Sequence, residues 1–205
     1  MLKSELINEI RNKYPQVNII GVTKYVDYNG IIAFRENGIL DVGENRVDSF
    51  LDKYNKVEGV IWHFIGSLQT KKVKKVINYI DFLHSLDRMS LALEIEKRAN
   101  KPVKCFIQVK TSTEDSKQGI SIDEVDGFIK EVEKLENIQI VGFMTMAPET
   151  EDEAIINDCF KRLKSLKDKY PYKELSMGMS SDYEHAIKYD ATYVRLGRLL
   201  YNERN

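Results

Sequence analysis

Eight short runs of apolar and β-branched residues recur along the chain, and a longer polar segment separates most of these runs from the next. The runs open near residues 18, 39, 61, 81, 103, 138, 175 and 192. Helical spacing of apolar residues marks the segments at 46–56, 69–79, 88–99, 121–135, 150–169 and 182–188. Strands that alternate with helices pair in parallel through βαβ units. The alternation therefore predicts the α/β class, and eight such units predict a closed (β/α)8 barrel.

The first residues of the chain add one element to this barrel. Apolar residues recur every four positions from Leu2 to Ile10 and Pro15 ends the run, which predicts an extra N-terminal helix over residues 2–13. An open doubly wound sheet is the alternative, but no GxGxxG follows the first strand and neither GxxxxGKS nor GxxxxGKT occurs. With 205 residues and no linker, the chain is expected to form a single TIM-like barrel domain over residues 1–205.

Composition and charge exclude several classes of function. The 31 basic and 32 acidic residues leave a net charge of −1, whereas disordered chains and non-specific nucleic-acid binders need a charge excess. No stretch approaches the roughly 20 apolar residues that span a bilayer, and the charged first residues lack the apolar core of a signal peptide. The cysteines and histidines share no metal-ligand spacing, and His63 and His84 are expected as satisfied walls of the barrel. We therefore expect a cytoplasmic protein with no nucleic-acid partner, no membrane partner and no metal site.

Lys24 follows the apolar run IIGV at the end of the first strand. Functional groups gather at the carboxyl ends of barrel strands, so an amine there is a candidate nucleophile. Partial desolvation would favour its neutral form, which forms Schiff bases with aldehydes and ketones. The alternative is a lysine that ends a strand and extends into water. Position alone does not decide between the two.

Two loops at the same predicted edge carry residues suited to phosphate binding. LSMGMSSD ends the seventh strand and supplies hydroxyls and a glycine, namely Ser176, Gly178, Ser180 and Ser181. VRLG places Gly197 at the end of the eighth strand, and Asp182 is expected to cap the helix after the seventh. The loops after these two strands commonly hold a phosphate in such barrels, although glycine and serine are also ordinary residues of turns.

A phosphate site opposite a lysine indicates a phosphorylated aldehyde as the ligand. Pyridoxal 5′-phosphate (PLP) fits that description, and so does a sugar phosphate in an aldolase. Arg195 bears on the choice. It lies two residues before Gly197 on the eighth strand, so the side chains at both positions are expected to face the barrel interior. A guanidinium inside a barrel needs an acceptor, which is either the pyridine nitrogen of PLP or a structural carboxylate.

Motifs along most of the chain resemble those of the pyridoxal phosphate homeostasis proteins (the YggS/PROSC type), relatives of the alanine racemase N-terminal barrel. They occur in family order: GVTK at 21–24, GEN at 43–45, WHFIGSLQTKK at 62–72, HSLDR at 84–88, SKQGI at 116–120, GFMTMAP at 142–148, LSMGMSSD at 175–182 and VRLG at 194–197. WHFIGSLQ and LSMGMSSD are long and specific strings, so chance is a poor explanation.

The resemblance implies which residues hold PLP. Lys24 matches the lysine that forms the Schiff base, Arg195 the arginine that faces the pyridine nitrogen, and Asn45 a polar residue beside the cofactor. The phosphate cradle corresponds to Ser180, Gly197 and Arg198. Arg198 departs from the family, because many relatives have a small Ser or Thr after this glycine. Here the backbone N–H alone, or a guanidinium–phosphate pair, takes the place of that hydroxyl contact.

The implied function is intracellular PLP homeostasis, with PLP held as a reversible Schiff base on Lys24 and released by imine exchange. An arginine beside the ring nitrogen disfavours the protonated ring that acts as an electron sink, so we expect no robust turnover and assign no catalytic residue. In alanine racemases, a second acid/base group comes from a separate β-domain and a partner subunit. The sequence has no residues after Asn205 for such a domain.

The expected partners are PLP and the apo forms of PLP-dependent enzymes, and we expect a monomer. Two alternatives keep the same lysine. One is a PLP-dependent enzyme with weak amino-acid racemase-type activity, and the other is a Schiff-base aldolase.

Overall fold

The structure is a computed structural model that describes residues 2–112 and 118–201. The SKQGI motif begins at Ser116, so its first two residues lie outside the described part of the chain. Strands and helices alternate along the described residues, as the apolar runs predict.

Within the described residues the chain forms nine strands, of which eight build the barrel and one, β6, is a two-residue addition to β5. Their bounds are β1 Asn18–Val22, β2 Asp41–Glu44, β3 Ile61–Phe64, β4 Phe82–Leu86, β5 Val103–Lys110, β6 Ile120–Ser121, β7 Ile138–Met144, β8 Glu174–Ser176 and β9 Tyr193–Leu196.

Parallel hydrogen bonding closes these strands into a ring. β1 pairs with both β2 and β9, and the order runs on through β8, β7 and β5 on one side and through β3 and β4 on the other. β4 pairs with β5, which closes the barrel. The predicted (β/α)8 barrel is therefore confirmed, and the open doubly wound sheet is wrong.

Eight helices of the described residues cover the outside of the barrel. Their bounds are α1 Ser4–Lys13, α2 Tyr28–Glu36, α3 Val47–Leu51, α4 Val73–Val76, α5 Met89–Arg98, α6 Val125–Val132, α7 Glu153–Lys167 and α8 Tyr183–Lys188. α1 is the predicted extra helix, and the N–H of Lys3 before it donates to the carbonyl of Leu200 after β9 at 2.8 Å. None of the helices described here has the length and apolar character needed to cross a membrane.

The sequence pattern does not predict α2, because its first residues, Tyr28 to Gly30, are typical of a turn. Asp27 starts the helix instead: its Oδ1 accepts the N–H of Gly30 at 3.1 Å, and Ile31 and Phe34 are buried. The predicted helix at 46–56 is shorter than expected. It ends early because the N–H of Lys53 bonds to the carbonyl of Phe50, three residues back, which is the tighter 3₁₀ pattern.

Apolar residues form two cores. The larger lies between the barrel and its helices and includes the fully buried rings of Phe34 and Phe160. The smaller consists of Phe82, Phe106 and Met144, which come from β4, β5 and β7. Next to this small apolar set, the strands carry buried polar side chains, and these lead to the functional site.

A bulge in β7 makes a glycine necessary. The pairing of β5 with β7 skips Val141, which is the extra residue of the bulge. A Cβ on the following Gly142 would lie 1.8 Å from the carbonyl oxygen of Glu174 on β8. That oxygen belongs to the backbone, so relieving the collision requires the two strands to move apart.

We expect Gly142→Ala to lower the free energy of unfolding by about 2 kcal/mol or more, because overpacking a well-packed site commonly costs about 1–3 kcal/mol. Gly127→Ala in α6 is the matched control, since a Cβ there meets nothing within 4 Å. It should raise stability by about 0.5–1 kcal/mol through helix propensity. Urea unfolding followed by circular dichroism compares the two variants, and equal stabilities would contradict the close approach of β7 to β8.

Candidate functional site

The six predicted site residues come from four adjacent strands of the barrel, in the order β2, β1, β9 and β8. They follow the carboxyl ends of these strands, except for one that lies within β9. Lys24 follows β1, Asn45 follows β2, Ser180 follows β8, Arg195 lies in β9, and Gly197 and Arg198 follow β9. Parallel pairing places these ends at one rim of the barrel.

Lys24 lies in a turn two residues beyond the end of β1 and is exposed. Its Nζ lies 4.6 Å from the centre of the Tyr25 ring, and Tyr25 is itself 64% exposed. The expectation of a partly desolvated amine is therefore wrong, because the turn carries the side chain beyond the buried residues of the strand. The amine is open to solutes at the rim.

A buried carboxylate fixes the turn that carries Lys24. Glu44 has no exposed surface, and its Oε2 accepts hydrogen bonds from the Thr23 hydroxyl at 3.0 Å and from Lys53 Nζ at 2.7 Å. Lys53 also donates to the carbonyl of Thr23 at 2.8 Å, and Glu44 Oε1 accepts the N–H of Asn45 at 2.8 Å. One side chain thus ties the Lys24 turn to the Asn45 loop. The GEN motif marks Glu44, but no spacing rule points to Lys53 as its partner.

Asn45 presents a buried acceptor that lacks a protein donor. Within the described residues, its side-chain Oδ1 is buried and has no hydrogen-bond partner. The loop after β3 packs tightly against it, since a Cβ on Gly66 would lie 2.2 Å from the Asn45 carbonyl oxygen. A buried unpaired amide oxygen costs about 1–3 kcal/mol, so a ligand that donates a hydrogen bond here would be favoured.

The loops after β8 and β9 meet, as the phosphate-site prediction requires. The hydroxyl of Ser180 accepts the N–H of Gly197 at 3.4 Å. Gly178 gives the β8 loop its path, with a φ of +90° and a hypothetical Cβ only 2.7 Å from the Cβ of Ala186. A hydroxyl and backbone N–H groups therefore lie together at this part of the rim. Arg198 begins the 3₁₀ turn after Gly197, and its residue is exposed.

Asp182 stabilises this loop rather than the helix after it. It occupies the N-cap position of α8 but makes no side-chain capping bond, so the predicted cap is wrong. Its Oδ1 instead accepts the N–H of Met179 at 2.5 Å, three residues back within the loop. Burial raises the pKa of Asp182 above its ordinary value. The carboxyl group braces the segment that presents Ser180.

Arg195 is buried inside the barrel, as its parity predicts, with 5% of its surface exposed. Its Nη1 donates to the hydroxyl of Ser176 at 2.6 Å and its Nη2 to the carbonyl of Thr145 at 3.0 Å. Among the described residues its hydrogen-bond partners are thus a hydroxyl and a carbonyl oxygen, and it forms no ion pair with a carboxylate. Burial lowers the pKa of Arg195 to about 10, which still leaves a cation at neutral pH.

His63 and His84 are fully buried and hydrogen-bonded, which confirms them as satisfied walls of the barrel. His63 Nδ1 and His84 Nε2 lie 2.9 Å apart, and His84 Nδ1 lies 2.8 Å from the hydroxyl of Ser176. Burial lowers the pKa of both imidazoles, so both are neutral near pH 7. The sequence assigned Ser176 to the phosphate loop, but its hydroxyl belongs to this interior network. In the described ranges, no three metal-ligating side chains cluster.

The arrangement combines an exposed amine, a hydroxyl and N–H groups suited to a phosphate, an unpaired buried acceptor and a buried cation. An amine condenses with a carbonyl, and the other groups hold the phosphate and polar atoms of a flat ligand. These are the requirements of a phosphorylated aldehyde.

Comparison with known sequences gives a consistent set of relatives. The family described as "Alanine racemase, N-terminal domain" matches residues 5–205. The chain is 38% identical over 197 residues to a pyridoxal phosphate homeostasis protein of Aquifex aeolicus, with 91% of this chain and 86% of the relative covered. It is 33% identical over 202 residues to a protein of the same name from Synechocystis sp., with 93% of each chain covered.

Solved structures agree with the sequence relatives. PipY of Synechococcus elongatus, solved with PLP bound, superposes with a TM-score of 0.90 at 27% identity and covers 97% of this chain and 99% of its own. Alanine racemase from Corynebacterium glutamicum gives a TM-score of 0.76 at 13% identity, over 97% of this chain and 59% of its own. The second likeness is one of fold alone.

We expect Lys53→Met to lower the free energy of unfolding by about 3 kcal/mol, because it leaves the buried Glu44 carboxylate without its cation. The double variant E44Q/K53M should lose less than K53M alone, since it removes the orphaned charge. Lys72→Met is the matched control. Lys72 pairs with Asp48 on the surface, where an ion pair contributes about 0–1 kcal/mol. Equal losses for the two lysine variants in chemical denaturation would contradict the buried pair.

The neutral histidines predict a pH dependence of stability. Their pKa values are lowered in the folded protein, so unfolded histidines bind more protons below their ordinary pKa of 6.5. The stabilisation is present above that pH and is lost as the pH falls, by up to about 1.4 kcal/mol per pH unit for each histidine. His84→Gln should show a shallower slope than the unmodified protein between about pH 7 and about pH 5.5. Identical slopes would show that His84 takes up its proton in the folded state.

Proposed function

Because the chain belongs to the pyridoxal phosphate homeostasis proteins, whose fold is that of the alanine racemase N-terminal domain, we propose that it binds PLP and serves intracellular PLP homeostasis as a carrier. The observation that carries the proposal is the placement of amine, acceptor, phosphate loops and cation on four adjacent strands. The proposal treats residues 1–205 as one PLP-binding domain. PipY, the structural neighbour at a TM-score of 0.90, binds the same cofactor.

The described residues fit the parts of PLP. Lys24 supplies the amine for the aldehyde, and Ser180 with the backbone of Gly197 and Arg198 supplies donors for the phosphate. The Arg195 guanidinium has five N–H donors, and the protein contacts above use one on Nη1 and one on Nη2. We propose that this guanidinium faces the ring nitrogen. Asn45 Oδ1 is the unpaired acceptor that we propose lies beside the cofactor.

The exposure of Lys24 supports a carrier that both loads and releases its ligand. On loading, Nζ of Lys24 adds to the aldehyde carbon, and the carbonyl oxygen leaves as water to give a Schiff base. On release, an incoming amine adds to the same carbon and Lys24 departs as the free amine. A Schiff base at the open rim can be reached by the lysine of a recipient protein. A Schiff base in a sealed active site cannot.

The cation inside the barrel supports transport over catalysis. PLP stabilises carbanions best when its ring nitrogen is protonated. Arg195 is positively charged and has no paired carboxylate among the described residues, so it disfavours that proton. Robust turnover is therefore not part of the proposal, and the relatives are named for homeostasis rather than for an enzyme activity.

The proposed recipients are apo forms of PLP-dependent enzymes, and the proposed carrier works as a monomer in the cytoplasm. Tyr25 and Tyr28, beside and after Lys24, are 64% and 41% exposed, so the rim offers aromatic surface to an approaching protein. The fully buried Cys105 thiol is in keeping with a reducing compartment.

Lys24→Ala should abolish the absorbance of the bound Schiff base above that of free PLP, because the variant lacks the exposed amine proposed to form it. Lys56→Ala is the matched control, since Lys56 is also exposed and also lies over a tyrosine ring, that of Tyr28 at 5.9 Å. The measurement is a PLP titration followed by borohydride reduction and peptide mapping. A reduced adduct that persists in K24A, or one that is lost in K56A, would overturn the assignment.

A further inference from the structure

A continuous set of hydrogen bonds runs through the barrel from Asp41, the first residue of β2, to Arg195 in β9. Asp41 Oδ1 lies 2.8 Å from His63 Nε2, and His63 Nδ1 lies 2.9 Å from His84 Nε2. His84 Nδ1 lies 2.8 Å from Ser176 Oγ, which is 2.6 Å from Arg195 Nη1. We call these five residues the interior relay.

The interior relay is shielded from water over most of its length. The side chain of Asp41 is 19% exposed, whereas His63, His84 and Ser176 have no exposed surface. The ring of His63 stacks on Phe82 at 4.4 Å between centroids, in nearly parallel planes. Rings held in this way have little freedom to rotate, so the hydrogen bonds keep their geometry.

The two ends of the interior relay determine the position of every proton in it. Arginine can only donate, so Ser176 accepts from Arg195 and keeps its own proton available for His84 Nδ1. His84 then carries its hydrogen on Nε2 and donates to His63 Nδ1. His63 likewise carries its hydrogen on Nε2 and donates to the carboxylate of Asp41. The opposite direction would place the lone pair of His63 Nε2 against the Asp41 carboxylate, which can only accept.

We propose that the interior relay is a positioning device, in which Ser176, His84, His63 and Asp41 fix the orientation of the Arg195 guanidinium from the far rim of the barrel. The consequence for the ligand rests on the proposed function. The relay satisfies the guanidinium without an adjacent anion, and its negative charge lies at Asp41, four hydrogen bonds away. Arg195 then keeps its positive charge directed at the site.

The interior relay can be tested in the protein without added PLP. Nitrogen-15 NMR of the histidine side chains should show His63 and His84 as neutral rings protonated at Nε2. Ser176→Ala removes the hydroxyl that donates to His84 Nδ1, so the Nδ1 signal of His84 should shift, whereas His63, still bonded to Asp41, should stay protonated at Nε2. Ser85→Ala is the matched control, because Ser85 is also buried on a strand but its hydroxyl has no hydrogen-bond partner in the described residues. It should leave both rings unchanged.

Asp41→Asn tests the far end and keeps the proposal testable should S176A fail to fold. It retains an acceptor but removes the charge, so the Nε2 proton of His63 should move upfield, and that of His84 should follow by a smaller amount, because chained hydrogen bonds polarise one another. Glu174→Gln is the control, since Glu174 begins β8 as Asp41 begins β2. It should move neither signal.

A second measurement reads the effect on the ligand. S176A should raise the dissociation constant for PLP by about tenfold and shift the absorbance maximum of the bound form, whereas S85A should change neither.

A wild type with the opposite tautomers, or a His84 signal that does not respond to D41N, would overturn the interior relay whatever the result with PLP. Correct tautomers in a protein that binds no PLP would sustain the relay and refute the proposed function instead. Histidine signals that respond as expected, with PLP binding equal in S176A and S85A, would refute the positioning role.

Discussion

Parallel pairing of β1 with both β2 and β9 is the constraint that creates the site. It brings the ends of four neighbouring strands to one rim, so residues that are up to 174 positions apart in the sequence, as Lys24 and Arg198 are, share a surface. Glu44 fixes the turn that carries Lys24, because it accepts hydrogen bonds from the Thr23 hydroxyl and from Lys53. Without the pairing of β1 with β9, the amine and the phosphate loops would not share a rim and could not hold one ligand.

The site divides into an open part and a closed part with different tasks. Lys24 is exposed at the rim, where a covalent bond to an aldehyde can form and exchange. Arg195 is buried and held by Ser176 and by the Thr145 carbonyl, so its charge is fixed in place. A buried cation gives affinity and orientation while opposing carbanion chemistry. The proposed exchange without efficient turnover rests on that division.

The sequence predicts the elements that repeat and misses the contacts that do not. Alternating apolar runs predict the barrel, and strand parity predicts that Arg195 points inward, because both follow a fixed period. The Glu44–Lys53 pair and the His84–Ser176 hydrogen bond join residues at spacings that no helix or strand period gives. The start of α2 escapes prediction because a single capping carboxylate, Asp27, overrides a turn-like sequence. Such contacts become visible only after the barrel has closed.

A crystal structure of the protein grown with PLP tests the proposed site most directly. We expect continuous density from Lys24 Nζ to the aldehyde carbon, the phosphate against Ser180 and the Gly197 N–H, and the ring nitrogen facing Arg195, with the Arg195–Ser176 hydrogen bond retained. PLP attached to another lysine, or a phosphate held away from the loops after β8 and β9, would contradict it.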